Sequence, residues 1–162
     1  MLQVFDHDPE FLVGGWHNVL VTVWRRSATA PLIRRVAPCQ RDFMRRFPGG
    51  FTLLTIVEPQ GREFSAEASA EAVKLGRESH PYIRAHAYVI EGRGFVAAAV
   101  RSIVAGVALL TRFQAPQQVF DTVGEAVPWI VGIAEAHGAE PLSHATLITE
   151  LAEARRKSTT PS

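Results

Sequence analysis

Two periods of apolar residues run along this chain, and the places where one gives way to the other outline its elements. Residues 2–5 and 11–13 are short β-type pieces around the turn-rich cluster Asp6-His-Asp-Pro9. Gly14-Gly15 is expected to break the chain before residues 18–24, which are rich in β-branched residues and make the first clear strand. A hairpin joining an opening strand to that segment is expected. Helical spacing then takes over. Thr29 has the character of a cap and Pro31 of a first-turn proline, and Leu32, Val36, Cys39, Phe43 and Phe47 recur on one face. Pro38 falls inside the pattern and predicts a kink or a late start, while Pro48-Gly49-Gly50 ends the helix.

Residues 51–57 form a continuous apolar run, as an interior parallel strand requires. Glu58-Pro59-Gln60-Gly61 reads as a loop, and Ser65 as the cap of a second helix reaching about Ser79, with Glu67 and Glu71 near its positive end. The third inner strand lies within residues 82–90. The tight Gly92-Arg93-Gly94 and a long helix over residues 94–111 follow it. A short strand at residues 118–120 precedes Thr122-Val-Gly-Glu125, a capping-box pattern that opens a fourth helix ending before Gly138. Past Pro141 a terminal helix is expected over residues 143–156.

Strands alternating with helices predict a single-domain α/β protein. Its sheet should be mixed and mostly parallel, with about four crossover helices and a short C-terminal helix. Residues 1–137 make the α/β domain, 138–156 a helical extension, and 157–162 a disordered tail.

The long helix carries two kinds of side chain. Placed at about 100° per residue, Val96, Val100, Ile103, Val104, Val107 and Leu110 share one sector, which should pack on the sheet. Ala97, Arg101, Ala105, Ala108 and Arg112 lie in the opposite sector. Alanine there makes an ordinary exposed helix surface. Small residues also let a second helix approach closely, with Arg101 and Arg112 at the rim, so this face is a candidate homodimer interface.

Composition narrows the function classes. The 47% hydrophobic and 20% charged content is that of a globular chain with one real core. A net charge of +1 argues against a globally electrostatic nucleic-acid binder. Arginine is nevertheless concentrated: residues 25–46 hold seven arginines against Asp42. Arg34, Arg41 and Arg45 fall on one side of the first helix, as a solvated face or as a basic surface for an acidic protein partner. A lone Cys39 permits no internal disulfide and suits a reducing compartment. With no signal-peptide pattern and an apolar run too short to span a bilayer, the expectation is a cytoplasmic protein without a transmembrane segment.

Reactive constellations are scarce. Gly92-Arg93-Gly94 before a helix could cradle an anion through free backbone N–H groups, although the third glycine of a dinucleotide fingerprint is missing. None of the six histidines forms a pair at metal-ligand spacing, so no metal site is expected. Strand residue His86 reads as packed or hydrogen-bonded, and His17 as part of a turn. No nucleophile elbow occurs, and Cys39 has no evident base. Neither catalysis nor a cofactor is implied. Three tryptophans and nine phenylalanines leave a cavity for an apolar ligand as an alternative to plain core packing.

The opening strand pair, with residues 51–57, 87–90 and 118–120 each followed by a helix, resembles the STAS domain superfamily, including the anti-sigma-factor antagonists and the SpoIIAA-like group. The likeness covers residues 2–137 and rests on element order and on the 18–24 and 89–110 blocks. It implies a non-catalytic regulatory or scaffolding domain that acts through protein contacts. The antagonists of that family are switched by a phosphorylated serine at the start of the second helix, within Asp-Ser-Ser/Thr-Gly. Here the matching stretch is Glu63-Phe-Ser65-Ala-Glu-Ala-Ser69, which lacks the motif. Ser65 keeps the position, as a helix cap or as a phosphate site that Glu63 and Glu67 would oppose. A carrier or sensor of a lipid or other apolar small molecule is the alternative function.

Overall fold

A computed structural model describes residues 1–60, 64–112 and 114–159, without the Phe95 side chain. The chain opens with β1 (Gln3–Asp8), β2 (Phe11–Trp16) and β3 (Val19–Trp24). It continues through α1 (Ala30–Arg46), β4 (Phe51–Val57), α2 (Ala66–Ser79), β5 (Ile83–Ile90), α3 (Phe95–Thr111) and β6 (Gln117–Phe120). The last two elements are α4 (Val123–Ala136) and α5 (His144–Lys157). Every strand lies beside its neighbour in sequence, in the order β1-β2-β3-β4-β5-β6. The opening pairs β1–β2 and β2–β3 are antiparallel, and β3–β4, β4–β5 and β5–β6 are parallel. This is the mixed, mostly parallel α/β sheet that the alternation predicts.

The sequential order decides where the helices go. Three successive crossovers of one hand, stepping in one direction, leave α1, α2 and α3 on the same face. Helix α4 follows the last strand, so it crosses to no further strand. It packs back over β3, β4, β5 and β6 on the opposite face, with α5 against it. The expected fourth crossover helix is therefore a covering helix.

Side chains of the inner strands alternate between these layers. Val21, Val23, Leu54, Ile56, Ala85, Ala87 and Val89 point to α4 and α5, where Val127, Ile130, Leu147 and Leu151 complete a fully buried cluster. On the other face α1 sets Leu32, Val36 and Phe43 on Phe11, Val13, Leu20 and Phe51. Helix α1 begins at Ala30, where the Thr29 hydroxyl accepts from the Leu32 amide at 3.4 Å, and continues through Pro38. No late start occurs.

Gly14-Gly15 does not break the chain; it lies inside β2. A Cβ on Gly15 would stand 2.7 Å from Phe43 Cε2 and from Phe5 Cζ, and one on Gly14 would stand 2.8 Å from the Gln3 carbonyl oxygen. The glycines let β1 and α1 close onto the strand. One Asp8 carboxylate oxygen accepts from the Glu10 and Phe11 amides at 2.7 and 3.2 Å and so shapes the first hairpin. His17, at φ 53°, turns the second.

Helix α5 belongs to the same core, because Leu147, Leu151 and Ala154 are buried with α4 and β2. Its C-terminal carbonyls are bound by Arg25, which follows β3 and is 4% exposed. The Arg25 guanidinium donates to the Arg155 and Ser158 carbonyls at 3.0 Å each and to Ser158 Oγ at 2.5 Å. Arg155 in turn reaches Glu58 at 2.8 Å and Glu91 at 2.7 Å, two carboxylates at the ends of β4 and β5. Lys157 and Ser158, assigned by sequence to the disordered tail, are thus structured, because a buried cation needs the acceptors that the helix end offers. Residues 160–162 of that tail, like Gly61 and Glu63 of the loop before α2, lie outside the described residues.

Candidate functional site

Helix α3 covers its face of the sheet loosely. Ala97, Val100, Val104, Val107 and Thr111 repeat at three- and four-residue steps along its inner side, and only Ala97 and Thr111 among them are buried. Ala97 packs on Tyr88 and Ile90 in a small cluster that Val57, Val100 and Val104 border. Between α3, α2, α1 and the sheet lies a cavity of about 160 Å³. Val100, Ile103, Val104 and Val107 form its roof, and Leu75 and Ala72 of α2 one wall. Trp24, Leu53 and Val57 supply the apolar part of the floor.

The rest of the floor is polar. Thr22 of β3 and Thr55 of β4 are register partners, and Thr22 Oγ1 donates to Thr55 Oγ1 at 3.1 Å. Thr55 Oγ1 also meets His86 Nε2 of β5 at 2.8 Å. Three adjacent strands therefore carry one hydrogen-bonded line across the middle of the sheet. The His86 ring stacks on that of Tyr88 with centroids 3.7 Å apart. Burial lowers the His86 pKa to about 3, so its imidazole is neutral at physiological pH. Burial likewise raises the Tyr88 phenol above its ordinary value. At the far end Gln40 donates to Ser79 Oγ at 2.8 Å. Arg26 is the one charged residue among the described lining, and its side chain is exposed.

Such a site can enclose apolar groups and exchange a hydrogen bond with one polar atom. Thr55 Oγ1 and His86 Nε2 make a hydroxyl–imidazole contact, and the burial that lowers the imidazole pKa makes it a weak base. Among the described residues no His, Cys, Asp and Glu cluster could hold a metal ion. Cys39 is partly buried outside this site, where burial raises its thiol pKa and keeps it protonated.

The residues singled out by sequence fall elsewhere. On α3, Ala97 faces inward, which removes it from the outer surface assigned to it. Arg101 pairs with Asp121, which follows β6. Ala105 and Arg112 are exposed, and Ala108 is half-buried. Val96 and Leu110, placed by sequence in the core sector, are exposed instead, and near the start of the helix it is Ala97, one position on, that meets the sheet. The side chains of Arg34, Arg41 and Arg45 do share an outer face but are answered within the chain. Arg34 meets Glu71 at 3.0 Å, Arg41 meets Glu78 at 2.6 Å, and Arg45 pairs with Asp42. The basic stripe is thus largely neutralised, chiefly because α2 turns its glutamates toward α1.

Ser65 caps α2, accepting from the Ala68 amide at 3.1 Å. Gly92 and Gly94 take positive φ values of 98° and 89°, and Gly94 caps α3 through backbone alone. Both glycines and Arg93 are exposed and shape the turn after β5. Sequence reasoning missed the line formed by Thr22, Thr55 and His86. Its signal was the two-residue alternation within three strands, readable only once their register is known.

Compared with family models, with curated proteins and with solved structures, the chain finds no match in any of the three.

Proposed function

We propose that the protein is a carrier or sensor that holds an apolar small molecule beneath α3. The observation that carries this reading is the cavity itself, a volume of about 160 Å³ with an aliphatic roof and a polar line in its floor. On the other face of the same sheet the inner strands, α4 and α5 form one continuous buried cluster. Native mass spectrometry of freshly purified protein tests the reading. A retained small molecule that disappears in the cavity-filling variant Val104→Phe is expected, and a ligand-free mass that no apolar probe alters would defeat it.

A second reading is that of a STAS-like contact module acting as a homodimer. It draws on the apolar C-terminal end of α3, where Leu109 and Leu110 are 78% and 53% exposed. A dimer dispersed by Leu109→Glu in sedimentation would favour it, and a monomer at all concentrations would remove it.

A further inference from the structure

The size, charge and hydrogen-bonding capacity of the cavity restrict what it accepts. Its volume of about 160 Å³ is close to the ~150 Å³ of an engineered cavity known to take benzene. One ring fits within such a space, and a long acyl chain, several times larger, could not be held in it whole. The single charged residue among the described lining, Arg26, is exposed, and His86 is held neutral by its surroundings. An ionised group on the floor would be buried without a counter-charge, which is strongly unfavourable.

Thr55 supplies the specific contact. A threonine hydroxyl has one donor and two acceptor positions. Thr22 and His86 engage two of them at 3.1 and 2.8 Å, and the third is left for the cavity that Thr55 lines. Val100, Val104 and Val107 close over it from α3. A neutral hydroxyl or carbonyl on an otherwise apolar ring is complementary to this arrangement.

Resting on the carrier or sensor reading above, we propose that the ligand is an uncharged one-ring molecule of about the size of phenol, whose single hydroxyl or carbonyl oxygen bonds Thr55 while its ring lies under α3.

Phenol, benzene and benzoate at pH 7 are the probes, titrated into the intact protein and followed by amide chemical shifts and by the fluorescence of Trp24. Phenol is expected to bind and benzoate to fail. Thr55→Val should weaken phenol about fivefold, the loss of one hydrogen bond, and leave benzene unchanged or slightly tighter. Thr55→Ser, which keeps the hydroxyl, should retain phenol binding and guards against a folding defect in the valine variant. Val104→Phe should abolish binding of phenol and benzene together. Benzoate binding as tightly as phenol would overturn the inference and leave the carrier reading standing. So would Thr55→Val weakening phenol and benzene equally, or neither. Failure of all three probes to bind would remove the inference and the carrier reading alike.

Discussion

The two faces of this sheet are made by the same three inner strands, yet they differ at every other residue. Toward α4 and α5 the strands present Val21, Val23, Leu54, Ile56, Ala85, Ala87 and Val89, and the face is sealed. Toward α2 and α3 they present Thr22, Leu53, Thr55, His86 and Tyr88 over a cavity. Strand register brings the polar residues into line, and helix placement leaves space above them. The lesson is that close packing and open space are divided between the faces: one is filled by side chains, and the other keeps room and hydrogen-bonding capacity.

The largest test of that division is a pair of truncations. Ile130→Ala on the sealed face should cost about 3 kcal/mol, within the range for a fully buried isoleucine. Val104→Ala over the cavity should cost less than about 1 kcal/mol, since the side chain is half-buried and already borders a void. Urea unfolding of both variants measures the difference, and equal losses would break the comparison.

A smaller effect should follow pH. His86 is neutral in the folded chain down to about pH 3 and takes up its proton near 6.5 when unfolded. Below 6.5 the unfolded chain therefore binds the extra proton. Stability is full above that pH and falls toward 3, by at most ~1.4 kcal/mol per unit. His86→Gln should flatten the slope between pH 7 and 5, which urea midpoints at the two pH values would reveal. An unchanged slope would show that the polar floor is open to water.

The last test adds volume, which the two faces should tolerate differently. Val104→Phe adds volume where a void exists and should change stability by under about 1 kcal/mol, in either direction. Val131→Phe adds it where none exists and should destabilise by about 1–3 kcal/mol. Thermal melting of the pair sharpens the contrast further.

Much of the architecture was legible along the chain. Thr29, Ser65, Thr122 and Ser143 cap α1, α2, α4 and α5 through their side chains, and Thr122 with Glu125 closes the expected capping box. Local hydrogen bonds have local signals, so these boundaries came out within a residue or two. Gly14 and Gly15 misled because what they accommodate is distant: Phe43 arrives from α1, and the Gln3 carbonyl from β1. The α3 faces were misjudged by a fraction of a turn for a related reason. Periodicity tells that a helix is two-sided, but the strand it rests on decides which residue points down, and Ala97 meets Tyr88 and Ile90 there. Arg25 read as one arginine in a basic stretch and is in fact the buried anchor of α5.

By itself the sequence determined the α/β class, the order of elements, most helix ends and the absence of a paired metal-ligand motif. All of these depend on neighbours a few residues apart. Tertiary structure alone decided that the crossover helices share one face and that α5 closes the core. It also decided that Thr22, Thr55 and His86, separated by 33 and 31 residues, form one line under a loosely seated helix. Their alignment depends on strand register and helix seating, and both are set by contacts between segments far apart in the chain.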